Sequence, residues 1–187
     1  ADEVYREFAY DDHVHTSILN LEGLEDHAIV IDSVSKRYSM CGARIGCVIS
    51  RNKVLNATML KFAQARLSPP TMAQIAAEAA LNVDASYYSD VKEEYTRRRD
   101  ILVDGLNTIP GLVGPKPAGS FYVMAQLPVD SAENFAEWLL SSFAHDNKTL
   151  MIAPAGGFYA NSEMGAQQVR LAYVLEADKL EQCVELM

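Results

Sequence analysis

Lys36 stands in the string Ser33-Val-Ser-Lys36-Arg-Tyr-Ser-Met-Cys-Gly42-Ala-Arg44-Ile-Gly46, directly after the apolar run Ala28-Ile-Val-Ile-Asp32. A short continuous apolar run reads as a strand buried on both faces. Lys36 therefore falls at a strand's carboxyl end, where open α/β sheets put their ligands. Desolvation there disfavours the ammonium form, lowers the lysine pKa and frees the amine as a nucleophile toward an aldehyde. Ser33 and Ser35 flank it with hydroxyls, and Arg44 lies beyond a Gly-containing turn that doubles the chain back. Its planar, permanently charged fork suits a phosphate. Taken alone, Ser-x-Ser-Lys fits a surface loop better than a site.

Two other stretches carry chemistry-bearing residues. Asp2-Glu-Val-Tyr5 stands about 30 residues before Lys36, and by itself would be an edge-strand fragment with a solvated acid. Arg170, in Gln168-Val-Arg-Leu-Ala-Tyr173, is a single charge on an apolar strand. A buried arginine needs a partner, and a carboxylate held bidentately supplies one. The glycines of Ile152–Tyr159 and Pro117–Tyr122 permit turns with positive φ. His13-Val-His15 has no third metal ligand nearby and reads, like Asp11-Asp12, as a solvent-facing loop. Arg97-Arg98-Arg99, with acids at helical spacing, reads as a solvated face of ion pairs. Met40, Met59, Met72 and Met124 read as core filler.

These residues need a scaffold, and the pattern supplies one. Ile45–Ile49 reads as a second buried strand, and apolar residues recur at helical spacing from Lys53 to Arg66. Pro69-Pro70 breaks the chain, and Ala-rich helix-forming sequence runs with interruptions from Thr71 to about Leu106, stopping before Pro110-Gly111. There follow a strand (120–127), a helix (132–143), two strands (149–153 and 168–174) and a helix (177–186). Asp130-Ser131 and Glu176 stand as candidate caps for the two helices. The expected organisation is α/β: residues 1–106 as a mostly parallel sheet with helices and a long connecting helix, and residues 107–187 as a small α+β domain.

The formal net charge of −9, with 16 scattered basic residues among 187, excludes a nucleic-acid surface or an anionic-membrane patch. No apolar run approaches the roughly 18 residues of a membrane span. Three cysteines without CxxC spacing fit reduced thiols and a cytoplasmic setting. The opening Ala1-Asp2-Glu3-Val4-Tyr5 reads as a chain already under way, so a piece of a longer protein is expected.

The string from Ser33 to Gly46 resembles the lysine signature of the class I/II, fold-type I pyridoxal-phosphate aminotransferases: Ser, apolar, Ser, Lys, then a small residue, an apolar one, Gly, Arg, apolar and Gly at set spacings. The resemblance implies that Lys36 holds pyridoxal 5'-phosphate as a Schiff base, with Ser33, Ser35 and Arg44 as cofactor contacts. It implies that Asp2 pairs with the pyridine nitrogen, keeping the ring an electron sink, and that Tyr5 meets the phenolic oxygen. Arg170 would grip the substrate α-carboxylate. The run Phe62–Pro70 and the Ala153–Tyr173 region look most like bacterial aspartate aminotransferases.

Family members also carry a glycine-rich phosphate loop, a ring-stacking aromatic and an asparagine upstream, and form homodimers that complete each site. Those parts would precede Ala1. Transfer of an amino group between an amino acid and a 2-keto acid is the implied reaction. A β-lyase or decarboxylase of the same fold, or an inactive half with a sheet edge prone to self-pairing, are the alternatives.

Overall fold

The computed structural model describes residues 1–187 throughout. The chain divides into two compact units, Ala1–Ser89 and Asp90–Met187. The division falls inside the long helix Ala85–Leu106.

In the first unit, the run at 28–32 becomes β1 (Ile29–Ser33) and the second run β2 (Gly46–Ser50). They pair antiparallel, with Val30 opposite Ile49 and Ser33 opposite Gly46. On its other side β1 receives a single parallel bridge from Asp2 to Ile31. The mostly parallel sheet expected from the sequence is thus not what these two strands make. The physical reason is local. The connection from Val34 to Ile45 returns to the end of β1 where it began, because Val34 N donates to the Ile45 carbonyl and Ser33 Oγ reaches the same oxygen. A strand that starts beside the previous strand's end must run backward.

The helices start where the sequence caps them. α1 (Val34–Arg37) is capped by Ser33, and α2 (Lys53–Arg66) by Asn52, whose side chain accepts from Leu55 N. α3 (Thr71–Ala80) follows the Pro69-Pro70 break. Their apolar stripes are not core here. No residue of α2 or α3 is buried, Phe62 is 74% exposed and Met72 77%. None of the four methionines read as filler is buried, and β2 is exposed or half-exposed along its whole length. An apolar stripe marks a surface that another layer must cover, and within this chain no layer does. The core of the unit is Phe8, Tyr10, Ala28 and Val30.

The second unit is an antiparallel sheet, ordered β3 (Tyr122–Gln126), β5 (Gln168–Ala172), β4 (Ala153–Pro154). Its buried residues come from Val123, Ala125 and Val169 on the strands, with Leu102, Val103 and Leu106 of α4 (Ala85–Leu106). α5 (Ala132–Ser141) adds Ala136 and Leu139, and α6 (Ala177–Leu186) adds Leu180. Ser131 caps α5 by accepting from Asn134 N, whereas Glu176 makes no side-chain cap at α6. The strand expected at 149–153 shrinks to the two residues of β4, with Thr149 turning its hydroxyl to the Leu139 carbonyl instead.

Arg99 corrects the reading of 97–99 as a solvated face. Arg97 and Arg98 do pair with Glu94, at 3.6 and 2.6 Å, but Arg99 is wholly buried. Its Nε donates to Asp100 Oδ1 at 2.8 Å and its Nη1 to the Pro117 carbonyl at 3.1 Å. Burial pushes the Asp100 carboxyl up, but the bonds from Arg99 and Lys116 outweigh it and hold the group below the ordinary carboxylate range.

The loop leading into β5 is pinned by backbone proximity at Gly165. A Cβ there would stand 2.6 Å from both the carbonyl carbon and oxygen of buried Ala155, whereas one at Gly157 would meet nothing within 4 Å. Gly165→Ala is expected to cost about 1–3 kcal/mol through overpacking, and Gly157→Ala to leave stability nearly unchanged. Thermal unfolding of the two variants side by side checks both.

Candidate active site

The site begins with the alternation of β1. Val30 and Asp32 face inward and Ile31 faces out. Asp32 is therefore a buried carboxylate, and such a charge persists only when paired and hydrogen-bonded. Arg37, also buried, supplies the pair: its Nη2 donates to Asp32 Oδ2 at 2.7 Å. Arg6 Nη1 lies 3.6 Å from the same oxygen, Arg37 Nε lies 3.1 Å from Glu7 Oε1, and Arg6 Nε donates to Glu7 Oε1 at 3.1 Å. Ser33 N donates to the other Asp32 oxygen at 2.8 Å. Burial alone would lower the arginine pKa, but the Asp32 and Glu7 carboxylates reverse that and raise it.

This pairing fixes the turn that carries Lys36. Ser33 Oγ accepts from Ser35 N at 3.1 Å and lies 2.8 Å from Ser35 Oγ and from the Ile45 carbonyl. Lys36 is half-buried on α1, between Ser35 and Arg37. The chain then passes through two non-glycine residues in the left-handed region, Ser39 (φ 51°) and Arg44 (φ 56°). Each costs on the order of 1 kcal/mol, so the surrounding contacts must hold them. Arg44 Nη1 donates to the Cys41 carbonyl at 2.8 Å, and the residue is otherwise exposed. Ser33, Ser35 and Arg44 line one cleft of about 780 Å³ between the sheet and α2.

Asp2 sits beside β1 through its bridge to Ile31, its Oδ1 accepting from Val4 N at 3.1 Å. Tyr5 is half-buried, with its ring edge-on to Phe8 at 6.1 Å. Arg170 belongs to the second unit and so forms a separate locus. It is half-buried on β5, with its guanidinium 4.4 Å from the ring centres of both Tyr122 and Phe158, and it lines an apolar cavity of about 390 Å³. No carboxylate of the chain pairs with it. A guanidinium held between two rings keeps its N–H edge free for a planar anion.

Three features escaped the sequence reading. The Asp32–Arg37 pair was signalled only by a charge at the end of an apolar run. Glu3, next to Asp2, is buried and accepts from His15 Nε2 at 3.0 Å, Ser17 Oγ at 3.0 Å and Ile18 N at 2.9 Å. His15 is exposed, as expected of a solvent-facing loop, but its ring is tied to Glu3. Tyr88 donates to the Tyr38 hydroxyl at 3.0 Å, a bond that with burial pushes Tyr88 up to about 12.

A half-buried lysine thus stands about one turn past a β-strand in an α/β chain, next in sequence to a cleft lined by two hydroxyls and a guanidinium; Lys36 itself is not among the residues lining that cleft. Residues 1–185 match aminotransferase class I and II, and the chain belongs to that family. It is 31% identical to the aspartate aminotransferase of Pyrococcus abyssi, across 100% of this chain and 47% of that protein. To the putative aminotransferase YugH of Bacillus subtilis it is 33% identical, across 100% of this chain and 46% of YugH. The crystal structure of an aromatic aminotransferase from Pyrococcus horikoshii superposes with a TM-score of 0.83 at 30% identity, over 98% of this chain and 48% of that one. The chain spans about half the length of the curated relatives it matches. No helix is long and apolar enough to cross a membrane.

Two measurements test the buried charges. Asp32→Asn leaves Arg37 buried without a full countercharge and is expected to cost about 3 kcal/mol or more. Asp2→Asn, at an exposed carboxylate, should stay within about 0.5 kcal/mol; urea unfolding of both compares them. Burial raises the Glu3 pKa, but the bonds from Ile18, His15 and Ser17 prevail and hold it below its ordinary 4.5. A depressed carboxylate stabilises the fold fully above its unfolded value and loses that contribution as pH falls through the folded one. Glu3→Gln should therefore flatten the loss of stability below pH 4.5 while costing most at neutral pH, read from unfolding midpoints across that range.

Proposed function

We propose that the intact protein is a pyridoxal-phosphate-dependent aminotransferase that moves an amino group between an amino acid and a 2-keto acid, with Lys36 as its reactive amine. The observation that carries this reading is the shared cleft of Ser33, Ser35 and Arg44, whose Ser35 is the neighbour of Lys36 on α1. Two hydroxyls and a guanidinium not neutralised by a carboxylate form the donor set that a phosphate monoester requires. Residues 1–106 then serve as the later part of the cofactor-binding domain with its connecting helix, and 107–187 as the small domain.

When bound, the cofactor supplies an electrophilic aldehyde and an electron-withdrawing ring. Ser33, Ser35 and Arg44 would hold its phosphate. Asp2 would keep a proton on the ring nitrogen, and Tyr5 would donate to the phenolic oxygen. Lys36 Nζ would be the amine that holds the aldehyde carbon and, when free, would take the proton from the substrate Cα and return it. Arg170 binds the substrate α-carboxylate. The relatives named above include an aspartate and an aromatic aminotransferase, so aspartate is the first donor to assay. A homodimer in the cytoplasm completes the proposal. The apolar faces of β2, α2 and α3 left in water are the kind of surface that further chain or a second subunit covers.

Lys36→Ala in the intact protein is expected to abolish the visible absorbance of the attached cofactor together with amino transfer to 2-oxoglutarate. Normal turnover in that variant would sink the assignment, and release of pyruvate and ammonia in place of amino transfer would indicate a lyase. Arg170→Ala should raise the apparent KM about tenfold or more for dicarboxylic and monocarboxylic amino acids alike, as steady-state kinetics would show.

A further inference from the structure

Arg66 ends α2, and no part of the proposed reaction uses it. It lines the same cleft as Arg44, and the two arginines also line a smaller adjoining cavity of about 200 Å³ with Ser68, Pro69 and Pro70. Arg66 makes no ion pair and no side-chain hydrogen bond within the chain. It does not cap the α2 carbonyls, which is the ordinary use of a cation at a helix C-terminus. Arg44 spends one N–H on the Cys41 carbonyl, which orients its fork without neutralising it. The single acidic residue lining the larger cleft, Asp32, is already held by Arg37 and Arg6. Two guanidinium groups therefore share one recess with no countercharge of their own.

The backbone beside Arg66 is costly as well. Leu67 has φ 72° and ψ 169°, a region that suits glycine alone. A side chain there costs on the order of 1–3 kcal/mol and persists only when the surrounding chain imposes it. The residue in that conformation is the one that turns the chain out of α2 immediately after Arg66, toward Ser68 and the two prolines.

We propose that Arg66 is the second cation of an oxyanion site whose first is Arg44, and that the site takes a dianionic ligand: a phosphoryl group or a dicarboxylic acid. The chemistry common to both is two or more anionic oxygens presented to two forks. A phosphoryl ligand would make Arg66 a cofactor contact beside Arg44, in keeping with the function proposed above, whereas a dicarboxylate would make it a determinant of acidic substrates and would take Arg44 away from the cofactor phosphate. The location of the cleft rests on the function proposed above, but anion binding does not depend on cofactor loading.

The test is calorimetric titration of the cofactor-free intact protein with inorganic phosphate and, separately, with succinate, for wild type, Arg66→Gln and Arg66→Lys. The expected result is that Arg66→Gln weakens one probe about tenfold or more, with partial rescue in Arg66→Lys. The probe affected identifies the source: phosphate for a phosphoryl group, succinate for a dicarboxylate. Equal binding in wild type and Arg66→Gln overturns the site, and so does a wild type that takes neither anion. Both outcomes are separate from the Lys36 absorbance test, which can succeed while this one fails. Arg66 is exposed within this chain, so matched melting temperatures are expected and exclude misfolding as the cause of lost binding.

Discussion

The Asp32–Arg37 pair is the constraint on which the first unit turns. Strand alternation leaves Asp32 no choice of face: Val30 is core, so Asp32 points the same way. A buried carboxylate demands a cation, and the one that reaches it comes from the helix β1 itself feeds. The pair is weak grounds for stability, because two desolvated charges cost nearly what their attraction returns. Its effect is on geometry. With Arg37 tied back to the strand at 2.7 Å and Ser33 holding both the start of α1 and the return of the chain at Ile45, the direction of a four-residue helix is set at both ends. Lys36 sits between those anchors.

Much of this was legible in the residues because it is local. The string from Ser33 to Arg44 carries its own cap, turn and cation within a dozen positions. α2 and α6 run between the residues that helical spacing assigned them, and α3 starts where Pro69-Pro70 releases the chain. What could not be read is what depends on distant partners. Phe62 and Met72 have core chemistry, yet whether they are covered depends on neighbours that no periodicity names. The direction of β2 depends on a serine hydroxyl finding a carbonyl across the turn. Glu3 looks like one more acid beside Asp2 until His15, Ser17 and the Ile18 amide converge on it from more than ten residues away.

The arginines show how neutralisation separates structure from ligand chemistry. Arg99 and Arg170 both stand in apolar surroundings of the second unit, and sequence alone misjudged the first. Arg99 is wholly buried, and its N–H groups are spent on Asp100 and a backbone carbonyl. It staples the unit together. Arg170 is half-buried and held by ring faces, which fix the plane of its guanidinium while leaving its edge unspent.

The same division runs through the first unit. Arg37 and Arg6 are committed to Asp32 and Glu7, and the charge of that quartet closes on itself. Arg44 gives one N–H to a carbonyl, and Arg66 gives none. Carboxylates outnumber cations in this chain, 25 to 16, so a cation left without one is not short of candidates. Arg44 and Arg66 share a recess with one acid, Asp32, that is already paired to Arg37 and Arg6, so neither arginine is neutralised there, and the left-handed turn at Arg44 and the costly one at Leu67 are the backbone's share in placing them.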